Sequence, residues 1–328
     1  MPSPPARITD SLQRLVSRLI LMLVLPVLAG WSVLAVRFSD RIGKGVRSAP
    51  RDALLVESVP PDRKGAAFGL HRTADHAGSV LGPLLASGLL LLVPGNLRLV
   101  FALTAIPGVM TVLILIRGVR EVPPRTPTPP TPLGKPPASL RSLGPTFPRY
   151  LAVLLLFTLG NASDAFLILR AQDLGVPVVA LPLLWGAFHV SKMAWSVPGG
   201  ILSDRTRPLF LILAGWLVYA GVYTGFGMAD AAWQAWALFG VYGLFYGLTE
   251  SPEKTLVAEI APSHLRARAF GVFHFVVGLG ALPASLLFGV LWNWKGAPVA
   301  FGTGAIIALV SAGLLPLALG ARGITGSK

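Results

Sequence analysis

The sequence of 328 residues contains no cysteine, and only 13% of its residues are charged. The lack of cysteine excludes disulfides and thiolate metal sites, and the five histidines have no spacing typical of a zinc site. No phosphate-binding loop of the Walker A type is present, so ATP-driven chemistry is not encoded here. Soluble domains carry about 25% charged residues. We therefore expect no cofactor, no metal and no enzymatic activity. The low charged fraction also sets the chain apart from typical soluble proteins.

Apolar residues make up 53% of the chain, and the mean hydropathy is +0.68. Several runs without Asp, Glu, Lys or Arg approach or exceed the roughly 18 residues that span a bilayer as a helix. They are Leu19 to Val36, Ala77 to Leu97, Leu99 to Ile116, Leu174 to Ser191, Pro208 to Ala229, Ala269 to Trp294 and Gly296 to Ala321. Membrane barrels show short alternating segments instead. The sequence predicts an all-α polytopic membrane protein.

The net charge of +14 is concentrated in alternate loops. Basic residues dominate the tract from Arg117 to Arg149 and the short loops at Arg63–Lys64, Arg205–Arg207 and Arg266–Arg268, whereas the intervening loops carry few charges. Basic loops stay on the cytoplasmic side of a membrane. We therefore expect a multi-pass protein of the cell (inner) membrane, with both termini in the cytoplasm. We expect its partner to be the lipid bilayer and not nucleic acid.

The chain repeats itself at an offset of 202 residues. Without gaps, Glu57 aligns with Glu259, Pro60 with Pro262, and the Ala67–Phe68–Gly69 triplet with Ala269–Phe270–Gly271. A parallel repeat of helical halves is typical of membrane transporters.

The repeat and a Pro-rich tract define the expected domains. Residues 1–117 form an incomplete N-terminal bundle of about four helices, 118–148 a basic cytoplasmic linker, and 149–328 a six-helix bundle, which makes about ten membrane helices. The predicted helices are 12–29, 31–57, 66–93, 97–117, 149–171, 178–202, 208–228, 232–258, 266–292 and 297–320. Projecting the second half onto the first leads us to expect two further helices before Met1.

The stretch from Arg37 to Glu57 is unusually charged for a predicted membrane helix. Its charges recur at helical spacing, at Arg37, Asp40, Arg41, Lys44, Arg47 and Arg51. A charge in the middle of a bilayer costs roughly 2.5–3.5 kcal/mol even on the lenient insertion scale. This stripe must therefore face protein or a water-filled cavity.

Three local motifs, together with the repeat, resemble the major facilitator superfamily (MFS). Arg41, Lys44, Gly45 and Ala49 are similar to the pattern of its fourth helix, although Lys44 replaces a glutamine. Gly69, Gly78, Gly82 and Pro83 have the spacing of the fifth-helix antiporter motif. Gly199, Gly200, Ser203, Asp204, Arg205 and Arg207 resemble the loop motif between helices eight and nine.

The resemblance implies a secondary transporter in which two six-helix bundles rock around a central cavity. This chain would supply helices three to twelve of twelve, as an N-terminally truncated member of a bacterial drug or metabolite efflux-like subgroup. It implies proton-coupled antiport of a small organic molecule, with that substrate and protons as the partners and a monomer as the working unit. Nothing in the sequence names the substrate.

The candidate site residues form three groups. Those for proton coupling and the substrate cavity are Asp40, Arg41, Lys44, Arg47, His71, Asp75, Asp164 and Glu250. Asp75 lies one turn beyond His71 and Arg72, and a carboxylate that alternates between an apolar setting and a cation binds and releases a proton. The antiporter motif is Gly69, Gly78, Gly82 and Pro83. The cytoplasmic gate is Arg51, Asp52, Asp204, Arg205, Arg207, Glu253 and Lys254, in which Asp204 and Arg205 are expected to meet Glu253 and Lys254.

Other interpretations remain open at this point. The ion pairs are equally compatible with static structural roles, and the glycines with plain helix packing. The chain could also be a truncated remnant or membrane interaction protein that no longer transports. Proton-coupled or facilitated uptake of a metabolite is a further alternative, and a membrane-embedded enzyme is the weakest because the charges fit no familiar catalytic group.

Overall fold

The computed structural model describes residues 48–92, 99, 102–103, 105–118 and 140–325. Within these ranges all regular secondary structure is helical, which confirms the all-α prediction. The helices are α1 (48–58), α2 (Lys64–Leu92), α3 (Ala105–Gly118), α4 (Thr146–Gly160), α5 (Ala165–Asp173), α6 (Leu181–Arg205), α7 (Pro208–Met228), α8 (Ala232–Ile260), α9 (Arg266–Lys295) and α10 (Ala297–Thr325). Short 3₁₀ turns occur at Leu140–Leu143, Val178–Ala180 and Ser263–Leu265.

Five helical segments of the described residues are long and apolar enough to cross a membrane. They are Thr146–Asp173, Val178–Arg205, Pro208–Met228, Ser263–Lys295 and Ala297–Gly320. Many large apolar side chains on them are exposed, such as Leu217, Leu286 and Leu317, as expected where a helix faces lipid rather than water. The 29-residue α8 has the length to span a bilayer but carries the polar side chains described below.

The described residues fall into two compact units. One contains residues 48–50, 81–92, 99, 102–103 and 105–118, and the other contains 51–80 and 140–325. In the second unit α8 packs against α6 and α7, and α10 packs against α7 and α4. Its core is aromatic, with Phe157 stacked on Trp216 at 4.3 Å and Tyr219 stacked on Tyr223 at 4.0 Å between ring centroids.

Glycines bring the helices of the second unit into backbone contact. A Cβ atom added at Gly199 of α6 would collide with the carbonyl of Gly247 of α8, and one added at Gly160 of α4 would meet Ile307 of α10. Small residues allow such approaches, which replace the hydrophobic driving force that helices lack in lipid.

One predicted helix is broken. The span expected over 149–171 is split into α4 and α5, with Asn161 to Asp164 between them. Asn161 has φ −102° and ψ 84°, outside the helical region. Polar residues of this kind favour helix ends. Here Ser163 Oγ accepts a hydrogen bond from the backbone amide of Ala165 at 3.3 Å, and no proline is needed for the break.

The other predicted helices agree with the structure to within a few residues wherever it describes them. The prediction 208–228 coincides with α7, and 66–93 corresponds to Lys64–Leu92. The helix predicted over 97–117 is described over Ala105–Gly118. The predicted helix 12–29 and most of 31–57 lie outside the described residues.

Candidate functional site

The break between α4 and α5 presents the carboxylate of Asp164 to side chains of α8. Although Asp164 is the residue before α5, its side chain makes no capping hydrogen bond to that helix. Instead, the Tyr246 hydroxyl lies 2.9 Å from Oδ2 and 3.1 Å from Oδ1, and the Tyr242 hydroxyl donates to Oδ1 at 3.3 Å. Asp164 is thus held by tertiary contacts rather than by its own helix.

Lys192 of α6 is the cation beside Asp164. Its Nζ lies 3.4 Å from Oδ2 of Asp164 and also 3.5 Å from the ring centroid of Tyr246 and 4.0 Å from that of Phe188. Only 6% of the Lys192 side chain is exposed. The ammonium is therefore surrounded by a carboxylate and two ring faces, and the latter attract a cation through their quadrupoles.

A second polar cluster joins α2 to α8. Glu250 Oε2 lies 3.4 Å from Nε of Arg72 and 3.3 Å from Nε2 of His76. On α2 itself, Asp75 lies 3.5 Å from His71 and 3.4 Å from Arg72, as the helical spacing predicts. Glu250 pairs across helices with Arg72 and His76 and not with Lys254 along its own helix.

Two histidines connect this second cluster to α6. Nδ1 of His189 lies 3.4 Å from Nδ1 of His76, and both side chains are buried. His189 is three residues before Lys192, so one helix face carries groups from both clusters. Imidazole accepts and donates protons at its two nitrogens, which suits it to relay a proton between neighbours.

A third cluster surrounds Asp52 of α1. Its carboxylate lies 2.8 Å from Nζ of Lys254 and 2.9 Å from Nε2 of His274, and Arg51 contacts it at 3.1 Å. Asp52 and Lys254 each expose only 2% of their side chains. The sequence analysis placed Asp52 and Lys254 in the same gate without pairing them, and the structure joins them in one ion pair.

Asp204 makes a different contact from the one predicted. Rather than meeting Glu253 or Lys254, its two oxygens accept hydrogen bonds from the backbone amides of Gly65 and Ala66, at 2.7 and 2.8 Å. These amides belong to the first turn of α2, whose positive dipole end attracts a carboxylate. Lys254 pairs with Asp52 instead.

The backbones of α2 and α6 approach closely beside the contact of Asp204 with α2. A Cβ at Gly65 would collide with the carbonyl of Gly200, and a Cβ at Gly200 would collide with that of Gly65. Gly69 likewise lies against the carbonyl of Ser196. By contrast, a Cβ at Gly78 or Gly82 would meet no described atom within 4 Å, so within the described ranges Gly69 is the motif glycine that lies against another helix.

The remaining candidates are less connected. Pro83 lies inside the continuous helix α2. Glu253 accepts a hydrogen bond from the Trp216 indole at 3.4 Å. Arg205 and Arg207 are exposed, and no ion pair links them to another residue in the described ranges. Asp40, Arg41, Lys44 and Arg47 lie outside the described residues.

Sequence reasoning missed the partners of these clusters. Tyr242, Tyr246, Phe188 and His274 were not among the candidates, although three of them line the Asp164 or Asp52 clusters directly. Tyr242, Tyr246, Glu250 and Lys254 recur every four residues along α8, and that stripe was a readable signal.

Together these features define a polytopic helical membrane protein with charged side chains held inside its bundle. The family model of the Major Facilitator Superfamily matches residues 15–285, and the chain belongs to this family. Its members are transporters rather than enzymes. An uncharacterised MFS-type transporter of Methanocaldococcus jannaschii is 34% identical over 292 residues, which are 86% of this chain and 71% of that protein.

More distant relatives match shorter parts of the chain. An uncharacterised protein of Mycobacterium bovis is 26% identical over 275 residues, which are 80% of this chain and 64% of that protein. The quinolone resistance protein NorA of Staphylococcus aureus is 26% identical over 134 residues, covering 41% of this chain and 34% of NorA.

Solved structures of the family share the fold. The MFS transporter FucP in its outward conformation aligns with a TM-score of 0.74 at 13% identity, covering 94% of this chain and 83% of FucP. The human organic anion transporter MFSD10 aligns with a TM-score of 0.73 at 15% identity, covering 93% of this chain and 76% of MFSD10. The chain therefore has the MFS fold.

Proposed function

We propose that this protein is a proton-coupled antiporter that exports a small organic molecule by alternating access. The observation that carries the proposal is Glu250, a carboxylate inside the bundle between Arg72 and His76 of another helix. Ionisable residues in membrane helices are costly and mark proton or substrate pathways.

The chemistry of a coupling site follows from these contacts. While Glu250 is ionised, it attracts Arg72 and His76 and holds α8 against α2. Protonation of Glu250 removes its charge and weakens both contacts, which frees the helices to move relative to each other. His76 and His189 extend from Glu250 toward α6 and provide a path for the proton.

The export direction rests on the fifth-helix motif and on the relatives. Gly69, Gly78, Gly82 and Pro83 keep the antiporter spacing. The name of NorA as a quinolone resistance protein supports efflux for that relative, and we extend it to this chain as part of the proposal. Uptake driven by protons moving in the same direction is the competing outcome.

The Asp52 and Asp204 contacts support a gate. In the proposed topology both lie at the cytoplasmic ends of their helices, so breaking them would open the path to the cytoplasm. We propose a cell-membrane location, cytoplasmic termini and a monomer, with 118–148 as the linker between the bundle of 1–117 and that of 149–328.

Reconstituted vesicles test the proposal. The full chain is placed in liposomes with an internal pH dye and a pH gradient, and a panel of small amphipathic compounds is added. Antiport predicts that a transported compound and protons cross in opposite directions. Movement in the same direction would refute antiport, and movement of a compound without any proton flux would refute proton coupling. If no compound moves, the transport proposal itself fails.

A further inference from the structure

The surroundings of the Lys192 ammonium form an aromatic cage with a carboxylate at one side. The cage consists of the ring faces of Phe188 and Tyr246 and the carboxylate of Asp164. The Phe188 ring is fixed by parallel stacking on Tyr242 at 5.2 Å, and Tyr246 is fixed by its hydrogen bonds to Asp164. The cage is therefore organised by contacts that do not involve Lys192.

The cage adjoins an open cavity of about 490 Å³. The cavity is lined by Ser163, Asp164, Ala165, Ile168 and Trp185. The cavity is wide open, and its lining is mostly apolar with Asp164 as the charged group. The ring centroids of Trp185 and Phe188 are 5.5 Å apart, so the aromatic surface continues from the cavity to the cage.

We infer that this site binds organic amines, with the ligand's ammonium group taking the position that the Lys192 ammonium occupies between Asp164, Tyr246 and Phe188. The inference rests on the proposed transport function and names its substrate class. Lys192 is a tethered ammonium on a flexible four-carbon stem, so a ligand of the same chemistry competes with it directly. The ligand's apolar body would lie against Ile168 and Trp185.

The charge arrangement favours a cation over an anion. An anionic ligand could attract Lys192, but Asp164 would then face it at close range, and the two ring faces repel negative charge. A cationic ligand keeps all three favourable contacts and displaces the Lys192 ammonium, which sits on a flexible stem. Binding thus exchanges one ammonium for another.

Three ligands of one shape test the charge preference. The full chain in nanodiscs of zwitterionic lipid is titrated calorimetrically with 3-phenylpropylamine, 3-phenylpropan-1-ol and 3-phenylpropanoate. The amine should bind at least tenfold more tightly than the alcohol or the carboxylate. Equal or tighter binding of the carboxylate would overturn the inference, because it would make Lys192 the recognition group.

Variants at Lys192 test the exchange itself. Lys192→Met removes the competing ammonium and keeps the side-chain length, so the amine should bind about tenfold more tightly than to the unaltered protein, whereas Lys192→Arg should not tighten binding. A purely structural ion pair predicts weaker or unchanged binding in Lys192→Met. That result, or no amine binding to either protein, would overturn the inference.

Variants of the cage provide a second measurement that does not depend on Lys192. Asp164→Asn should abolish the preference for the amine over the alcohol, and Phe188→Leu should weaken amine binding alone. Asp173→Asn, an exposed carboxylate on the same helix pair, is the matched control and should change nothing. Retained amine preference in a folded Asp164→Asn protein would contradict the inference. If Asp164→Asn does not fold, Tyr246→Phe replaces it as the test variant, because it removes the hydroxyl bonded to Asp164 and keeps the ring. It should weaken amine binding less than Phe188→Leu does.

Binding in nanodiscs is independent of any gradient, so the two proposals fail separately. If the amine binds as stated but moves no protons in vesicles, proton coupling is wrong and the site stands. If other compounds drive proton antiport while the amine does not bind, the substrate class is wrong and the transport function stands.

Discussion

Asp52 and Lys254 occupy equivalent positions in the two repeats, 202 residues apart, and they form an ion pair of 2.8 Å with each other. Phe68 and Phe270 are also repeat equivalents, and their rings meet edge to face at 6.0 Å. Residues that contact their own symmetry equivalents lie on a two-fold axis. These two pairs therefore mark a local pseudo-two-fold axis that relates residues 51–80 to their repeat equivalents in α8 and α9.

A position on the axis has a consequence for charge. Identical residues there would place like charges in contact, so the repeat must diverge at this position, as it does with Asp52 and Lys254. Both side chains are almost fully buried, and removing one partner of a buried ion pair typically costs about 3–5 kcal/mol. The repeat tolerates two different residues at this position because they need only carry opposite charges.

Exchanging the charges of this pair should preserve the fold and the function. Asp52→Lys and Lys254→Asp should each lower thermal stability and abolish transport, because each leaves two like charges in contact. The double variant should recover a large part of both losses. The measurements are the unfolding temperature of the purified protein and compound transport in vesicles.

Glu57→Lys is the control for this exchange, because Glu57 is exposed on the same helix as Asp52. It should change neither stability nor transport. If the double variant is no better than the single ones, then Arg51 and His274, which also contact Asp52, make the site specific for an acid at position 52.

Removing the Asp204 carboxylate should loosen the start of α2. Asp204→Ala leaves the amides of Gly65 and Ala66 without their acceptor, and losing a helix cap costs about 0.5–2 kcal/mol. Hydrogen exchange at these amides should become faster, while Asp204→Asn should restore part of the protection. Unchanged exchange in the alanine variant would show that the contact does not order the helix.

A methyl group at Gly200 should be far more harmful than one at Gly221. At Gly200 the new Cβ would collide with the backbone of Gly65, and backbone cannot move aside as a side chain does. At Gly221, on the exposed side of α7, it would meet no described atom within 4 Å. Gly200→Ala should lose transport and Gly221→Ala should keep it, measured at equal protein levels. Normal transport by Gly200→Ala would mean that α2 and α6 need not approach closely.

Much of the fold was readable from hydropathy and the repeat. Charge-free runs predicted α7 to the residue, because a span between two polar loops is limited by the bilayer thickness. The break at Asn161–Asp164 was not predicted, since hydropathy averages over a window longer than the break. The polar residues Asn161, Ser163 and Asp164 carried the signal, but the apolar residues on either side of them dominated the hydropathy average.

The site was readable only as a set of charges, not as pairs. The sequence identified Asp164, Glu250, Asp52 and Lys254, because charges stand out in apolar helices. Their partners depend on which helix faces meet, and hydropathy does not contain that information. The repeat alone could not predict the Asp52–Lys254 contact either, since it relates two positions without locating the axis between them.

The most direct test of the account is to measure substrate exchange and proton movement in the same vesicles for Glu250→Gln. Glutamine keeps the size of the side chain but binds no proton, so substrate counterflow should continue while proton-driven transport falls to the background of empty vesicles. Glu259→Gln, exposed on the same helix, should retain both. Proton-driven transport by Glu250→Gln at the level of the unaltered protein would contradict the proposal that Glu250 carries the proton.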